Sequence, residues 1–295
     1  MEGVSVIKPN FFIVGAAKSG TSTLYSIIAE HPEVFMSQEK EPSYFVANED
    51  LACLWPDMAN NPVSYDEHKY LELFEDAGGA RVVGESSTTY SMLPFSAGVA
   101  QRIYDFNPES KILFVLRNPV KRAISHYWHR VKRGREDESM QNAITLDSIY
   151  MTVSDYATQI EDYYKHFNKN NVNVITLESF SMKPDETIKN IFRWLEIDAQ
   201  SVPENLHEQK HVTPKVVRRQ RNLGLIGKIF LPAYKAAKPA IPLSVHEVAK
   251  NLFMPKVDRS AVESGTVVKF LEQAQRKRNE KLCKLLDREF PEWEV

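Results

Sequence analysis

A glycine-containing loop directly after a short apolar segment constrains this chain most. Residues 15–22 read Gly-Ala-Ala-Lys-Ser-Gly-Thr-Ser, and the preceding residues 11–14 are Phe-Phe-Ile-Val. The phosphate-binding loop of kinases and GTPases reads G-x-x-x-x-G-K-[ST], with its lysine directly after the second glycine. Here the glycines keep that separation, but Lys18 lies inside the loop and Thr21 occupies the usual lysine position. Because a strand-loop-helix unit directs backbone N–H groups at an anion, we predict a phosphate site. A turn that only joins strand to helix is the alternative.

The position of the lysine also bears on the use of metal. A magnesium-dependent phosphate loop places a serine or threonine directly after its lysine, on the helix side of the second glycine. Ser19 does follow Lys18, but this pair precedes Gly20. The pattern therefore does not signal a magnesium site, and it favours metal-free transfer from a phosphate-linked donor.

Strand-like and helix-like segments alternate along much of the chain. Apolar runs predict four strands, at residues 11–14, 81–84, 111–116 and 172–177. Apolar residues at helical spacing predict helices after the loop, after Pro119 and around residues 188–195. This order predicts an α/β fold, with a P-loop-type central parallel sheet flanked by helices.

The segment from about residue 200 to 262 departs from this alternation. It carries several prolines and an apolar, partly helical stretch around residues 223–242. We predict that residues 1–295 form a single domain in which residues 200–262 are a partly helical C-terminal cap on the substrate side.

Charge and composition exclude several classes of function. The chain has 37 basic and 39 acidic residues and a net charge of −2, which argues against a general nucleic-acid or membrane-surface binder. No apolar run reaches the roughly 18 residues that span a bilayer. The first residues lack the basic and apolar pattern of a signal peptide, and Cys53 and Cys283 lack metal-ligand spacing. We therefore predict a cytoplasmic protein without stable membrane insertion. The sequence leaves the oligomeric state open.

A second cluster of polar residues follows the predicted strand at residues 111–116. Arg117 lies just beyond the carboxyl end of this strand, where ligands bind in open α/β sheets. Ser125 falls about two turns into the helix that begins near Pro119. An arginine and a hydroxyl in this arrangement can hold a second phosphate. A surface arginine is the alternative.

Together these residues resemble the sulfotransferases that use 3′-phosphoadenosine 5′-phosphosulfate (PAPS) as donor and release adenosine 3′,5′-bisphosphate (PAP). Further similar segments are residues 84–90, 177–180, 194–197 and 282–293, so the resemblance covers most of the chain and is weakest at residues 200–262. The resemblance implies that the 5′-phosphosulfate binds at the loop, on Lys18, Ser19, Gly20, Thr21, Ser22 and Thr23. It implies that Arg117 and Ser125 bind the 3′-phosphate, and that no metal is required.

The segment Lys-Glu-Pro-Ser-Tyr-Phe at residues 40–45 refines this resemblance. It is similar to the segment that carries a glutamate base in heparan sulfate sulfotransferases and many bacterial enzymes. The branch acting on steroids and phenols instead uses a histidine, at a position near residues 86–88, and this chain has none there. The resemblance therefore implies that Lys18 and Glu41 are catalytic, with Glu41 as the general base. A solvated loop carboxylate is the alternative reading of Glu41.

Several positions depart from the family pattern. Ser86 stands where some glycan-acting members have a lysine, which favours a small-molecule or natural-product acceptor over a polyanionic glycan. Thr23 replaces the adenine-stacking tryptophan of the steroid and phenol branch. The cap residue that completes the 3′-phosphate site is not fixed, and its candidates are Lys210, Lys215, Arg218 and Arg219, of which we favour Lys215 and Arg218. Aromatic residues that could line an acceptor pocket, or equally belong to the core, are Tyr44, Phe45, Trp55 and Tyr90.

A zinc motif has to be weighed against this reading. Residues 207–211, His-Glu-Gln-Lys-His, match the H-E-x-x-H pattern of zinc proteases. That pattern needs a helix and a third ligand, whereas Pro203 and Pro214 bracket the stretch and no third histidine follows at the required spacing. We therefore predict no metal site. The rival classes are a zinc hydrolase, a kinase using ATP and magnesium, and a non-catalytic nucleotide-binding module.

Overall fold

Five parallel strands form the central sheet of the protein. A computed structural model describes residues 7–203, 206, 216–218, 256–259 and 265–294. The sheet has the order β2-β3-β1-β4-β5. Its strands are β1 (Phe11–Gly15), β2 (Val34–Met36), β3 (Val82–Ser86), β4 (Lys111–Leu116) and β5 (Val172–Thr176).

Burial explains why the central strands have continuous apolar runs. All five residues of β1 and all five of β3 are buried, as are five of the six in β4. In a parallel sheet covered on both faces, alternation between polar and apolar residues is lost. The neighbouring carboxyl ends of β1, β3 and β4 meet at one edge, where β1 pairs Ile13 with Ser86 and Leu113.

Helices follow or connect these strands. Their bounds are α1 Thr21–Ile28, α2 Asn48–Leu54, α3 Pro56–Ala59, α4 Glu67–Glu72, α5 Val99–Phe106, α6 Pro119–Lys132, α7 Met140–Ala143, α8 Ile149–Thr152, α9 Tyr156–Tyr164, α10 Leu177–Met182, α11 Pro184–Trp194 and α12 Gly265–Leu286. Short 3₁₀ turns add to these at 62–64, 75–77, 88–91, 169–171 and 291–293.

The core is built differently on its two sides. Aliphatic side chains of β1, α1 and α11 form one buried cluster, in which Ile13, Leu24 and Ile188 are fully buried. Aromatic rings form another, with Phe45 in edge-to-face contact with Tyr70 at a centroid distance of 5.6 Å. Aromatic pairs of this geometry contribute beyond their buried area.

The predicted α/β class is confirmed, since a parallel sheet flanked by helices carries the loop at the carboxyl end of β1. The four predicted strands correspond to β1, β3, β4 and β5, and the helices predicted after the loop, after Pro119 and around residues 188–195 are α1, α6 and α11. Strand β2 was not predicted, because three residues are too few to show a strand pattern in sequence.

The chain divides into two compact units. The first comprises Met1–Arg122, Thr152–His211 and Gln275–Val295, and the second comprises Ala123–Met151 and Val212–Ala274. Within the second unit, β6 (Val216–Arg218) pairs antiparallel with β7 (Lys256–Asp258). Most of the predicted cap at residues 200–262 lies outside the described residues, so the single-domain assignment with this cap stays a prediction.

Among the helices in the described ranges, none combines the length and apolar character that crossing a membrane requires.

Candidate active site

The loop between β1 and α1 has the form of an anion site. The N–H of Ala16 donates to the carbonyl of Val115 at 2.7 Å, which fixes the loop against β4. Helix α1 opens at Gly20, whose φ of 84° is left-handed and whose Cα lies so close to Leu177 that a Cβ would meet its Cδ1 at 2.7 Å. Glycine is the residue that adopts this conformation without strain. The loop therefore requires glycine at the position where the sequence pattern has it.

Some polar groups of this loop have no partner among the described residues. No side chain in the described part of the chain caps the first turn of α1. The Thr23 N–H donates to the Gly20 carbonyl at 3.1 Å, which leaves the N–H groups of Thr21 and Ser22 for a ligand. The Ser19 side chain is fully buried, and its Oγ has no hydrogen-bond partner among the described residues. Because buried hydroxyls are normally hydrogen-bonded, this orphan fits a bound oxyanion.

Arg117 lies beside this loop. Its guanidinium Nη1 donates to the carbonyl oxygen of Lys18 at 3.0 Å, although 99 residues separate the two. The Tyr156 hydroxyl donates to the Arg117 carbonyl at 2.7 Å, and burial raises the pKa of Tyr156 to about 12. Tyr156 thus keeps its proton at neutral pH and holds the Arg117 backbone in place.

Asn118 connects the Arg117 segment to the C-terminal part of the chain. Its Oδ1 accepts from the N–H groups of Val120 and Lys121 at 3.1 Å, which caps α6. Its own N–H donates to Glu178 Oε1 at 3.0 Å, and its Nδ2 donates to the Trp293 carbonyl at 2.8 Å. Distant residues of the chain thereby fix the end of β4.

Ser125, the predicted partner of Arg117, lies in α6 and is 6% exposed. It belongs to the second unit, whereas Arg117 belongs to the first. The assignment of both residues to the same 3′-phosphate stays a prediction.

Glu41 is held at the carboxyl end of β3. Its backbone N–H donates to the Ser86 carbonyl at 3.0 Å. Its carboxylate accepts from the Thr88 N–H at 2.7 Å and from the Thr88 hydroxyl at 3.2 Å. Its Oε1 lies 3.4 Å from the ammonium of Lys40, and that ammonium donates to Ser22 Oγ at 2.9 Å. The predicted base and the predicted phosphate loop are therefore linked through one lysine.

Both predicted catalytic residues have an unusual backbone conformation. Lys18 has a φ of 71° and Glu41 a φ of 62°, two of the five positive values at non-glycine residues in the described ranges. Such conformations cost about 1–3 kcal/mol each and occur at functional sites where the surroundings enforce them. This coincidence supports a functional role for both positions.

A buried carboxyl lies behind Glu41. Glu85 on β3 is fully buried and accepts hydrogen bonds from Tyr70 at 2.7 Å, Tyr90 at 2.8 Å and Ser87 at 2.7 Å. Loss of hydration is the main cause that raises the pKa of Glu85 to about 7. The three hydrogen bonds lower this pKa, and repulsion from Glu41 raises it. At neutral pH, protonated and ionised forms of Glu85 coexist.

This carboxyl also supports the segment that carries Glu41. The Ser87 hydroxyl, which donates to Glu85, accepts from the backbone N–H of Ser43 at 3.1 Å. The Tyr90 hydroxyl, which also donates to Glu85, accepts from the N–H of Phe45 at 3.4 Å.

The aromatic residues that were candidates for an acceptor pocket differ in their burial. Phe45, Trp55 and Tyr90 are buried, and the rings of Phe45 and Tyr90 are in contact at 5.7 Å, although Phe45 also lines an open pocket together with Tyr44. Tyr44 is half-buried and stacks on Tyr70 at 4.3 Å.

The predicted loop residues Thr21 and Thr23 are buried in α1, whereas Ser22 is exposed at its first turn.

The cap candidates are mostly not described. Lys210, Lys215 and Arg219 lie outside the described residues, as does the H-E-x-x-H stretch, and Arg218 is described only as part of the backbone of β6. Within the described ranges, no group of three or more histidine, cysteine, aspartate or glutamate residues is placed to hold a metal ion.

Sequence reasoning missed three contributors to the site: Lys40, Thr88 and Glu85. Lys40 and Thr88 lie in segments that resemble the family, but their side-chain roles have no local signal because each depends on a partner at least 18 residues away. Glu85 gives no signal either, since its burial depends on tyrosines from two other elements.

Comparison with known proteins identifies the family. The family model described as "Sulfotransferase domain" matches residues 8–222, well over half of the chain. The protein therefore belongs to the sulfotransferase family, and the resemblance to this family predicted from the sequence is confirmed.

A solved structure agrees with this assignment. The sulfotransferase from Alicyclobacillus acidocaldarius is 26% identical, with a TM-score of 0.71, and the match covers 98% of this chain and 100% of that chain.

Curated relatives match a smaller share of the chain. Membrane-associated sulfotransferase kil1 of Dictyostelium discoideum is 27% identical over 47% of this chain and 26% of its own length. Carbohydrate sulfotransferase 15 of Rattus norvegicus is 23% identical over 64% of this chain and 44% of its own length. The chain thus spans about a quarter to a half of the length of these relatives.

Proposed function

We propose that the protein transfers a sulfuryl group from PAPS to a hydroxyl of a small-molecule or natural-product acceptor, giving a sulfate ester and PAP. One observation carries this proposal. The β1–α1 loop contacts Arg117 on one side through the Lys18 carbonyl and is linked to Glu41 on the other through Lys40. These contacts support a donor site at this loop, with Arg117 as the proposed second anion-binding residue and Glu41 as the proposed base.

The loop would bind the 5′-phosphosulfate. The N–H groups of Thr21 and Ser22 and the unpaired Ser19 hydroxyl would donate to the phosphate oxygens. The remaining predicted ligands of this part of the donor are Lys18, Gly20, Thr21, Ser22 and Thr23. Arg117 would bind the 3′-phosphate, with Ser125 and the cap residues Lys215 and Arg218 as its proposed partners. Charge-assisted contacts between arginine and phosphate are among the strong hydrogen bonds in proteins.

The chemistry follows from where charge develops. The acceptor oxygen attacks sulfur in line with the bridging oxygen of the donor, a new sulfur–oxygen bond forms, and the bond from sulfur to the bridging oxygen breaks. Negative charge therefore develops on the phosphate of PAP, where Lys18 and the loop N–H groups would stabilise it by roughly 3 kcal/mol per donor. Glu41 would take the proton of the acceptor hydroxyl, which contributes about 10²–10⁴ in rate. No metal takes part in this scheme.

Ser86 supports a small, uncharged acceptor. Its side chain is fully buried, and its Oγ has no hydrogen-bond partner among the described residues. It thus offers no cation to a sulfated glycan, at the position where some glycan-acting members of the family have lysine. A hydroxyl is favoured over an amine or guanidine nitrogen, because an ammonium must lose an additional proton before it can attack. The names of relatives such as carbohydrate sulfotransferase 15 make a glycan the main competing acceptor.

We also propose that the enzyme is cytoplasmic, without a nucleic-acid partner and without stable membrane insertion. Cys53 and Cys283 are both free thiols, as is usual in a reducing compartment. The net charge of −2 offers no broad basic surface to nucleic acid.

The first experiment measures nucleotide preference by calorimetry, with PAP in one titration and ATP with magnesium in the other. The second supplies radiolabelled PAPS with a panel of alcohols, phenols, amines and glycans. We expect tight binding of PAP, weak binding of ATP, and labelled product from an alcohol or phenol. Preference for ATP with magnesium would indicate a kinase. PAP binding without turnover of any acceptor would indicate a nucleotide-binding module, and product only from glycans would overturn the acceptor class.

A further inference from the structure

Lys40 contacts both the loop and Glu41, although the sequence alone assigned it no role. Its ammonium donates to Ser22 Oγ at 2.9 Å and lies 3.4 Å from Glu41 Oε1. Ser22 belongs to the first turn of α1, so one cation contacts both the phosphate loop and the candidate base. The Lys40 and Glu41 side chains are 26% and 21% exposed, so solvent screens this pair less than a surface ion pair.

These contacts limit the distance between loop and base. Ser22 Oγ and Glu41 Oε1 are at most 6.3 Å apart, the sum of the two contacts of Lys40. In the proposed reaction the sulfur moves from an oxygen bound at the loop to an oxygen deprotonated by Glu41. Lys40 contacts both Ser22 and Glu41, so in the proposed reaction it would lie beside the path of the sulfuryl group.

The negative charges on either side of Lys40 indicate a function for its ammonium group. The donor brings several negative charges to the loop, and Glu41 must be ionised a few ångströms away to act as a base. Like charges at this separation favour protonation of the carboxyl. Among the described residues, the groups that interact with the Glu41 carboxylate are Lys40 on its own segment, Thr88 after β3, and the buried Glu85. Of these three, Lys40 alone is a cation.

We propose that Lys40 is a second catalytic cation of the transfer site, which contacts the sulfuryl oxygens of the bound donor and keeps Glu41 ionised beside them. This proposal rests on the proposed sulfuryl transfer. Lys40 keeps its protons throughout and donates hydrogen bonds only. Because PAP lacks the sulfuryl group, Lys40 should matter far more for turnover than for binding of PAP.

The test compares Lys40→Met and Lys40→Arg with wild-type protein. Methionine keeps the length and apolar stem of lysine but removes its charge, whereas arginine keeps the charge. The matched control is Lys69→Met, because Lys69 also contacts a glutamate, Glu72 at 2.8 Å, within α4. The measurements are kcat against pH with labelled PAPS, the Kd of PAP, and the melting temperature.

For Lys40→Met we expect kcat at neutral pH to fall by about 10- to 100-fold, comparable to the loss of one oxyanion donor. The acidic limb of its kcat profile should move to higher pH, while the Kd of PAP changes by less than about threefold. Lys40→Arg should recover most of the rate and restore the position of that limb. Lys69→Met should match wild type in every measurement.

A wild-type kcat and acidic limb in Lys40→Met would overturn the proposal. So would a large loss of PAP affinity with kcat unchanged, since Lys40 would then only bind nucleotide. A lowered melting temperature with an unmoved acidic limb would mean a structural role. Wild-type protein that binds PAP but transfers nothing would instead contradict the proposed function itself.

Discussion

Replacing Glu85 with glutamine should change how the stability of the protein depends on pH. Glu85 is fully buried, and burial raises its pKa from 4.5 to about 7. A carboxyl whose pKa is higher in the folded state than in the unfolded state holds a proton that the unfolded chain has released. Its stabilising contribution is therefore complete below about pH 4.5 and is lost as the pH rises to about 7.

The size of this effect follows from the shift in pKa. Between the two pKa values the free energy of unfolding changes by about 1.4 kcal/mol per pH unit, so ionisation of Glu85 should cost about 3 kcal/mol in total. Glu85→Gln cannot ionise, and its amide oxygen can still accept from Tyr70 and Tyr90. Relative to wild type, this variant should become more stable by about 3 kcal/mol on going from pH 4.5 to pH 8.

The assay is urea unfolding followed by tryptophan fluorescence, at half-unit steps from pH 4.5 to 8. Glu75→Gln is the matched control, because Glu75 is an exposed carboxyl in a 3₁₀ turn after α4. The free energy of unfolding of Glu75→Gln should change with pH in parallel with that of wild type. If the free energies of unfolding of Glu85→Gln and wild type differ by the same amount at every pH, Glu85 does not titrate in this range. The hydrogen bonds from Ser87, Tyr70 and Tyr90 would then outweigh its loss of hydration.

Three further predictions concern turnover and donor binding. Lys18→Ala should reduce transfer from labelled PAPS by at least about 10²-fold, because the leaving phosphate loses its nearest cation, and full activity would contradict the role of the loop. Arg117→Ala should weaken PAP binding by about 10-fold or more in calorimetry while a 3′-dephosphorylated analogue binds almost unchanged. Equal losses for both ligands would mean that Arg117 acts only through its hydrogen bond to the Lys18 carbonyl. Glu41→Gln should keep PAP affinity and lower kcat on an aliphatic alcohol by about 10²-fold or more, with a smaller loss on an acidic phenol; an unchanged kcat would place the base elsewhere, with His207 and His211 next to be tested.

Local sequence patterns were sufficient to predict most strands of the sheet and part of the candidate site. The runs that became β1, β3, β4 and β5 are recognisable because a strand buried on both faces is continuously apolar. The loop after β1 was equally visible, since its backbone conformation is set by residues adjacent in the chain, above all Gly20 with its φ of 84°. The same holds for Arg117, which directly follows β4.

The remainder of the site depends on residues that only folding brings together. Lys40 meets Ser22 across 18 residues, Glu41 meets Thr88 across 47, and Asn118 meets Trp293 across 175. Helical or strand periodicity carries no information about such pairs, because periodicity reports which face of an element is buried and not what lies against it.

Glu85 shows this limit most clearly. In sequence it is one glutamate among the 39 acidic residues of the chain, at the end of a short apolar run. Its loss of hydration and its hydrogen bonds come from Tyr70 and Tyr90, which reach it from elements on either side in sequence. The sequence alone indicated a glycine-containing loop between a buried strand and a helix, in an arrangement typical of phosphate binding. The tertiary structure decided which carboxyls and cations surround that loop and which of them are removed from water, because electrostatic energies depend on distance and hydration in the folded state.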